Sequence, residues 1–442
     1  MIRNFGHNVK FEPKHYYTPH SESEVLDILN SHKNGKIRAH GSFHAWNGGI
    51  KSEDVLLNLE LINHIKLVEE QGESYAVVGG GCKLQDLVRY LEKKSLAVPT
   101  MGGIMKQTVA GLASTATHGT GRSSFSHYLS EIRIAAYENG KAKIFTYSSG
   151  DELRAARTAV GCLGVIVSIK IKVVPRFWIQ EQLRKYETLD QALALEHEWP
   201  LTQFGLIPYS WKFVAFQRRI ASEPSQWQKF RALFARMRDY LFIEASPHAL
   251  LKLILTFPNR KKSVLWYYNF LPKLLLNVDI TNIDYQALTL HVKHHYQFRH
   301  LEMEVFVPEE HIRAAAKTIR DITQAYSDSG KYIHHYIYFF RKVLPDDTLI
   351  SMTAGDKSYY AIGVFTYDKE QNRKAFYEFA HTLAVELNQK YGARFHWGKY
   401  IPLDHHDLTR LYPEMDKFKE LCRNMDPQGV FRNDFITEKL GF

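Results

Sequence analysis

The sequence predicts an α+β fold, with a two-part N-terminal region and a middle region built on a mainly antiparallel sheet flanked by helices. Three observations predict it. Strand-like and helix-like periods alternate over the first 175 residues. Glycine is sparse and aromatic residues are dense between 176 and 393. The stretch from 394 to 442 resumes the character of the beginning. A chain of 442 residues is also too long for one core of ordinary size. The expected division is therefore 1–175, 176–393 and 394–442, with the last segment returning to the first.

The elements follow in order. Ser21 and Glu24 stand at capping-box spacing, so Ser21–Asn30 reads as a helix. Lys36–Arg38, Val55–Leu59, Ile65–Val68 and Tyr75–Val78 read as strands. The last of these runs into Gly79-Gly80-Gly81 and the amphipathic helix Leu84–Lys94. Ser130–Glu138, Lys141–Tyr147 and Val165–Val174 are further strands, closed by Pro175. In the middle region Gln226–Ile243 reads as a helix. The apolar stretch 248–276 is interrupted by Pro258 and Pro272. It fits a helix pair on a sheet or a membrane-surface element, and base rates favour the pair. Arg299–Val307 and Tyr332–Arg341 alternate as strands, with helices over Glu310–Asp328 and Arg373–Lys390.

Composition narrows function. Fifty-seven basic against 47 acidic residues give a net charge of +10. No basic run exceeds three residues and no nucleic-acid motif is present, which argues against nucleic acid. Three dispersed cysteines argue against a disulfide framework and offer no metal spacing. The N-terminus lacks a signal-like apolar run, and no stretch reads as a spanning helix; a cytoplasmic protein is expected. Gly79-Gly80-Gly81 lacks the third glycine of a G-x-G-x-x-G turn, so no Rossmann site is expected.

Two loops carry the chemistry. Ile37–Gly49 (IRAHGSFHAWNGG) breaks from a strand into a glycine-flanked loop holding His44. Met101–Gly121 (MGGIMKQTVAGLASTATHGTG) sets five glycines among small hydroxylated residues. Such loops let backbone N–H groups approach an anion. Together they suggest a large ligand with a phosphate-rich middle.

These loops, with GCLGVIVSIKIKVVPRFW, FHWGKYIP and DPQGVFRNDFITEKLG, resemble the FAD domain of the vanillyl-alcohol oxidase superfamily, and most of all its aldonolactone and alditol oxidases. The resemblance implies a two-subdomain FAD-binding domain with a substrate cap. It implies FAD bound covalently to His44, at the place of a flavin-linked histidine. Ala45 stands where serine is usual. Arg38, Gly41, Ser42 and Phe43 would wrap the diphosphate. Thr108, Gly111, Ser114, Thr115, His118, Gly119 and Gly121 would line the ring and the remaining diphosphate. Gly161, Gly164, Val165 and Ile166 would meet the adenine half.

Lys399 and Arg341 match catalytic cations beside the ring. His396 and Trp397 fall at the substrate site, with Trp397 and Lys399 sharing one strand face. Phe339 replaces a glutamate and Val364 a histidine, while Thr366 is kept. Both replacements put apolar groups where a hydroxylated donor would need partners. The implied reaction is oxidation of a CH–OH group of a sugar lactone or polyol-related compound by hydride transfer to flavin N5. A nonsugar alcohol, or a flavin-binding protein with decayed catalysis, is the alternative. The acceptor would be O₂ or an electron carrier.

Overall fold

The structure, a computed structural model, describes residues 1–239, 246–257, 259–275, 281–285 and 299–442. Three sheets organise it. The smallest is parallel, with Val55–Asn58 between His15–Tyr17 and Ile37–His40. Five antiparallel strands form the second, in the order Lys141–Tyr147, Leu129–Glu138, Val165–Lys172, Glu73–Gly79, Ile65–Glu70. The helix Glu22–Ser31 packs on its edge, and the Ser21 hydroxyl accepts the Glu24 N–H as the capping-box spacing predicts.

The third sheet has eight antiparallel strands. Their order is Thr281–Tyr285, Trp178–Tyr186, Phe213–Ala221, Gln203–Leu206, Tyr338–Val343, Tyr359–Thr366, Leu301–Pro308, Arg394–Phe395. The helices Ile312–Asp328 and Lys374–Tyr391 pack on one face of this sheet. Its other face turns toward the two smaller sheets. Arg394–Phe395 still belongs to the large sheet, so the chain turns back only after residue 395. The helices His405–Leu411, Met415–Met425 and Asp434–Leu440 then pack on the N-terminal region.

One expectation needs correction. Tyr332–Arg341 is a strand only from Tyr338. Before it, the carbonyls of His334 and His335 accept from the hydroxyls of Tyr209 and Tyr268 rather than from a neighbouring strand. Side chains have replaced the ladder there. The described part of the 248–276 stretch forms a helix pair, Ser246–Ile254 and Arg260–Leu275, and residues 258 and 276 lie outside the described residues. Its inner residues Leu251, Val264, Tyr267 and Tyr268 pack on Leu183 and Val214 of the large sheet. Gln226–Asp239 is helical as expected, and the rest of that reading, 240–243, lies outside the described residues.

Glycine sets two close approaches. At Gly79-Gly80-Gly81, a Cβ would strike the carbonyls of Ile62, Ile166 and Leu59 respectively. The triplet is a packing requirement, and Gly80 also lines the cleft described below. Gly121 has φ 67°, and a Cβ there would strike the Pro200 carbonyl. Its N–H donates to Lys342 O at 2.7 Å, joining the second loop to the large sheet. Gly121→Ala is expected to cost about 1–3 kcal/mol of stability, read as a lowered thermal midpoint.

Candidate active site

The parallel strand Ile37–His40 delivers the first loop to the mouth of a cleft between the sheets, with about 1430 Å³ of empty space. The loop is held from both sides. Phe5 N–H donates to Phe43 O at 2.8 Å, which accompanies a φ of 56° at Phe43. Trp46 N–H donates to Gly398 O at 2.8 Å. The Asn47 amide donates to Trp397 O at 2.6 Å and Lys399 O at 2.8 Å. The HWGK segment is thereby fastened to the His44 loop.

The second loop meets the first directly. Ser42 Oγ donates to Lys106 O, and Thr108 caps the short helix Val109–Ser114 by accepting the Gly111 N–H. The cleft is lined by Gly41, Ser42, Phe43, His44 and Ala45 from the first loop, and by Thr108, Gly111, Ser114, Thr115 and His118 from the second. Gly161, Gly164, Val165 and Ile166 line its far end. Arg341, His396, Trp397 and Lys399 close it on the side of the large sheet. His44 is only 6% exposed and stacks on Phe5 at 5.3 Å between ring centroids.

Five expected residues do not line the cleft. Gly119 packs against the Met101 carbonyl and Gly121 against Pro200. Val364 and Thr366 alternate with Gly363 and Phe365, so they point through the sheet to its helical side. Val364 is fully buried there, and the Thr366 hydroxyl donates to Asp368 at 3.1 Å. Neither is placed to touch a substrate. Phe339 does share a face with Arg341, but lies further along the sheet. Its ring edge lies 3.5 Å from a Cβ position at Gly205 and 6.3 Å, centroid to centroid, from Phe365.

Two further readings change. Trp397 and Lys399 do not share a strand face, because the strand ends at Phe395 and Lys399 N–H donates to His396 O at 3.0 Å in a turn. The Trp397 indole turns into the core and donates to Ile350 O at 2.6 Å; its backbone lines the cleft. Arg38 spends its guanidinium on three carbonyls, Val160 at 2.8 Å, Gly161 at 3.0 Å and Phe431 at 2.7 Å. It clamps the cleft wall instead of reaching across it.

The closed end of the cleft contains charges that sequence reasoning missed. Arg341 donates to Glu304, and Lys399 donates to Glu302. Both carboxylates are buried on the strand Leu301–Pro308, at 1% and 3% exposure. Lys399 Nζ also sits 4.1 Å from the centroid of the Trp46 ring. His118 Nε2 lies 3.4 Å from Glu304 Oε1. His118 Nδ1 lies 2.9 Å from Gly119 O, so it donates there.

Burial would push the Glu304 carboxyl up, but Arg341, His118 and Lys399 together hold it well below the usual carboxylate range. Burial holds the His396 imidazole well below its ordinary value, against the pull of Glu304. His396 accepts the Gly398 N–H at Nδ1, 2.9 Å, so its neutral form presents a donor at Nε2. His118, Glu304 and His396 could together offer three metal-ligand atoms within 4.8 Å. The Arg341 bond already engages the carboxylate. The signal for Glu302 and Glu304 was legible in RHLEMEVFV: two acids, two residues apart, on one face of an apolar strand.

The site fits a dinucleotide with a charged middle. Among the described residues, the Ser42 and Phe43 N–H groups donate to no backbone carbonyl, and the buried Arg38 bonds carbonyls and no carboxylate. Fold and cleft thus suit a dinucleotide cofactor beside a cluster of buried charges supplied by a separate antiparallel sheet.

Comparison with known proteins agrees. Residues 13–145 match the FAD binding domain family, and residues 169–439 match D-arabinono-1,4-lactone oxidase. The chain belongs to this aldonolactone oxidase group of the vanillyl-alcohol oxidase superfamily. A long-chain alcohol oxidase from an uncultured marine euryarchaeote is 33% identical, covering 99% of this chain and 96% of that protein. Mouse L-gulonolactone oxidase is 25% identical over 99% and 98%. Cholesterol oxidase from Brevibacterium sterolicum shares the fold, with a TM-score of 0.77 at 13% identity, covering 99% and 96%. The protein is therefore an FAD-dependent oxidoreductase acting on CH–OH donors. Among the described residues, no helix is long and apolar enough to cross a membrane.

Proposed function

We propose that the donor is a primary alcohol carrying an extended apolar chain, and that FAD is linked covalently to His44. The observation that carries the substrate reading is an aromatic face of the large sheet that continues past Arg341, outside the lining of the cleft itself. Phe339, Phe365, Tyr336 and Tyr367 form one aromatic cluster, with Tyr336 and Phe365 centroids 5.4 Å apart, and each ring is partly exposed. Phe339 and Phe365 offer a hydroxylated chain no partner, and the Tyr336 and Tyr367 hydroxyls are already engaged by His248 at 3.2 and 3.1 Å, so each hydroxyl left unpaired there costs about 1–3 kcal/mol. An alkyl chain gains about 0.8 kcal/mol per buried CH₂. The similarity to a long-chain alcohol oxidase supports the same choice.

A sugar lactone is the second reading. It is favoured by the four charged groups at the closed end of the cleft and by the match to the lactone oxidase family. In both readings FAD, when bound, accepts the hydride at N5. The chain's residues do the rest. Arg341 and Lys399 hold positive charge where negative charge develops, and Glu302 and Glu304 keep those cations fixed. His396 presents a neutral N–H to the donor oxygen, and the hydroxyl proton that leaves as the hydride departs would pass to the Glu304 carboxylate, which has an oxygen within 4.8 Å of a His396 ring nitrogen. Asn47 fixes the His396–Lys399 turn relative to the His44 loop.

Anaerobic bleaching of the flavin by a panel of 1-decanol, L-gulono-1,4-lactone, xylitol and benzyl alcohol tests the substrate. Decanol is expected to bleach fastest; bleaching by the lactone alone would overturn the alkyl reading. For the linkage, flavin absorbance is expected to stay with acid-precipitated protein, and a peptide containing His44 to carry the FAD mass. Free FAD in the supernatant and a chain of unmodified mass would refute it.

Phe339→Glu tests this aromatic face. It is expected to lower kcat/KM for decanol at least tenfold relative to that for the lactone. An unchanged ratio in folded, flavin-loaded protein would remove Phe339 from the substrate site.

A further inference from the structure

We propose that the helices between residues 226 and 275 dock the protein on an anionic lipid surface. Eight of the thirteen exposed large apolar side chains among the described residues lie in this stretch. On Gln226–Asp239, Trp227, Phe230 and Phe234 follow a helical stripe and are 65%, 52% and 53% exposed. Their rings touch one another, at 5.7 and 5.0 Å between centroids. On Arg260–Leu275, Trp266 and Phe270 stack at 5.3 Å and are 53% and 45% exposed. Apolar stripes of this kind normally face a core; here they face outward.

The fold does not need these outer stripes. The helix pair is already anchored by an inner face, Leu251, Val264, Tyr267 and Tyr268. Clusters of exposed aromatic rings of this kind mark a docking site.

Charge selects the occupant. Residues 226–275 hold nine basic and two acidic residues; Lys229, Arg260 and Lys261 pair with Glu223, Asp368 and Asp328, and the stretch remains basic after those pairs. Arg231 and Lys262 are exposed beside the stripes. Aromatic residues with adjacent lysine and arginine suit the headgroup layer of an anionic leaflet. A second copy of the chain would instead bring two strongly basic faces together. Helices of 14 and 16 residues are too short to span a bilayer but suit lying in its surface. The surface stands whichever donor the cleft accepts.

The test is co-sedimentation of the flavin-loaded protein with vesicles. Vesicles of phosphatidylcholine with phosphatidylglycerol are expected to carry the protein down, and pure phosphatidylcholine to carry much less. Raising salt is expected to release it. Trp227→Ser/Phe230→Ser/Trp266→Ser is expected to reduce binding about tenfold or more while flavin content and activity on a short soluble alcohol stay unchanged. If that variant loses its flavin, Arg231→Glu/Lys262→Glu takes its place, with the same loss expected on anionic vesicles. Protein left in the supernatant with anionic vesicles at low salt would overturn the proposal. So would equal binding by wild type and a folded variant. A dimer in solution that the aromatic variant dissolves, without vesicle binding, would assign the face to a second copy and also overturn it.

Discussion

Lys399→Ala is expected to slow flavin reduction roughly 10²-fold or more, because a fixed cation acts most strongly where charge develops in a dry site. The structure refines what this variant removes. Lys399 is held between the Trp46 ring and the Glu302 carboxylate, so alanine also leaves a buried carboxylate without its cation. Lys399→Ala/Glu302→Ala separates the two effects. If the cation itself matters, the double variant regains stability but not rate. Lys399→Arg is not expected to rescue fully, because a planar guanidinium cannot take the same place over the indole. Stopped-flow reduction of flavin-loaded protein reads all three. A wild-type rate in the alanine variant would make Lys399 structural.

Arg341→Met is expected to cost about 3–5 kcal/mol of stability at neutral pH, since Glu304 would keep its burial and lose its principal cation. The sign with pH follows. In the wild type, Glu304 is held below its ordinary value, so its contribution is present above the unfolded carboxyl's range and fades as acid protonates it. In the variant, burial dominates and the carboxyl moves up. The folded state then favours the proton, and the deficit is expected to shrink as pH falls from 8 toward 5. Arg341→Met/Glu304→Leu is expected to recover much of the loss. Denaturant unfolding at several pH values checks this; a deficit independent of pH would mean that Glu304 is not the group left unpaired.

How much of this was legible in the sequence depended on how local the signal was. Ser21–Asn30, Lys141–Tyr147 and the two glycine-rich loops declare themselves over a few residues, through capping spacing, alternation and glycine content. The structure brings both loops to one cleft, as their composition suggested. The errors lie where a non-local partner decides the geometry. Trp397 seemed to share a face with Lys399, but a turn after Phe395 lets His396 and Lys399 both reach the cleft. Val364 and Thr366 sit one residue out of phase with Gly363 and Phe365, and in a strand that places them on the wrong face. Arg38 looked like a phosphate ligand, yet its partners are carbonyls at 160, 161 and 431, far away in sequence. Glu302 and Glu304 were passed over because a strand with two acids looks half solvated until the opposing loops bury it.

In the proposed reaction this cleft removes hydride from the carbinol carbon of an alcohol with an apolar chain. Its most direct test is the anaerobic reduction of the bound flavin by 1-decanol, with hydrogen or deuterium at C1, in a single turnover. Bleaching is expected to be several-fold slower with deuterium, and slowed for both by Lys399→Ala. A flavin that stays oxidised with decanol, or that bleaches at the same rate with either isotope, would contradict it.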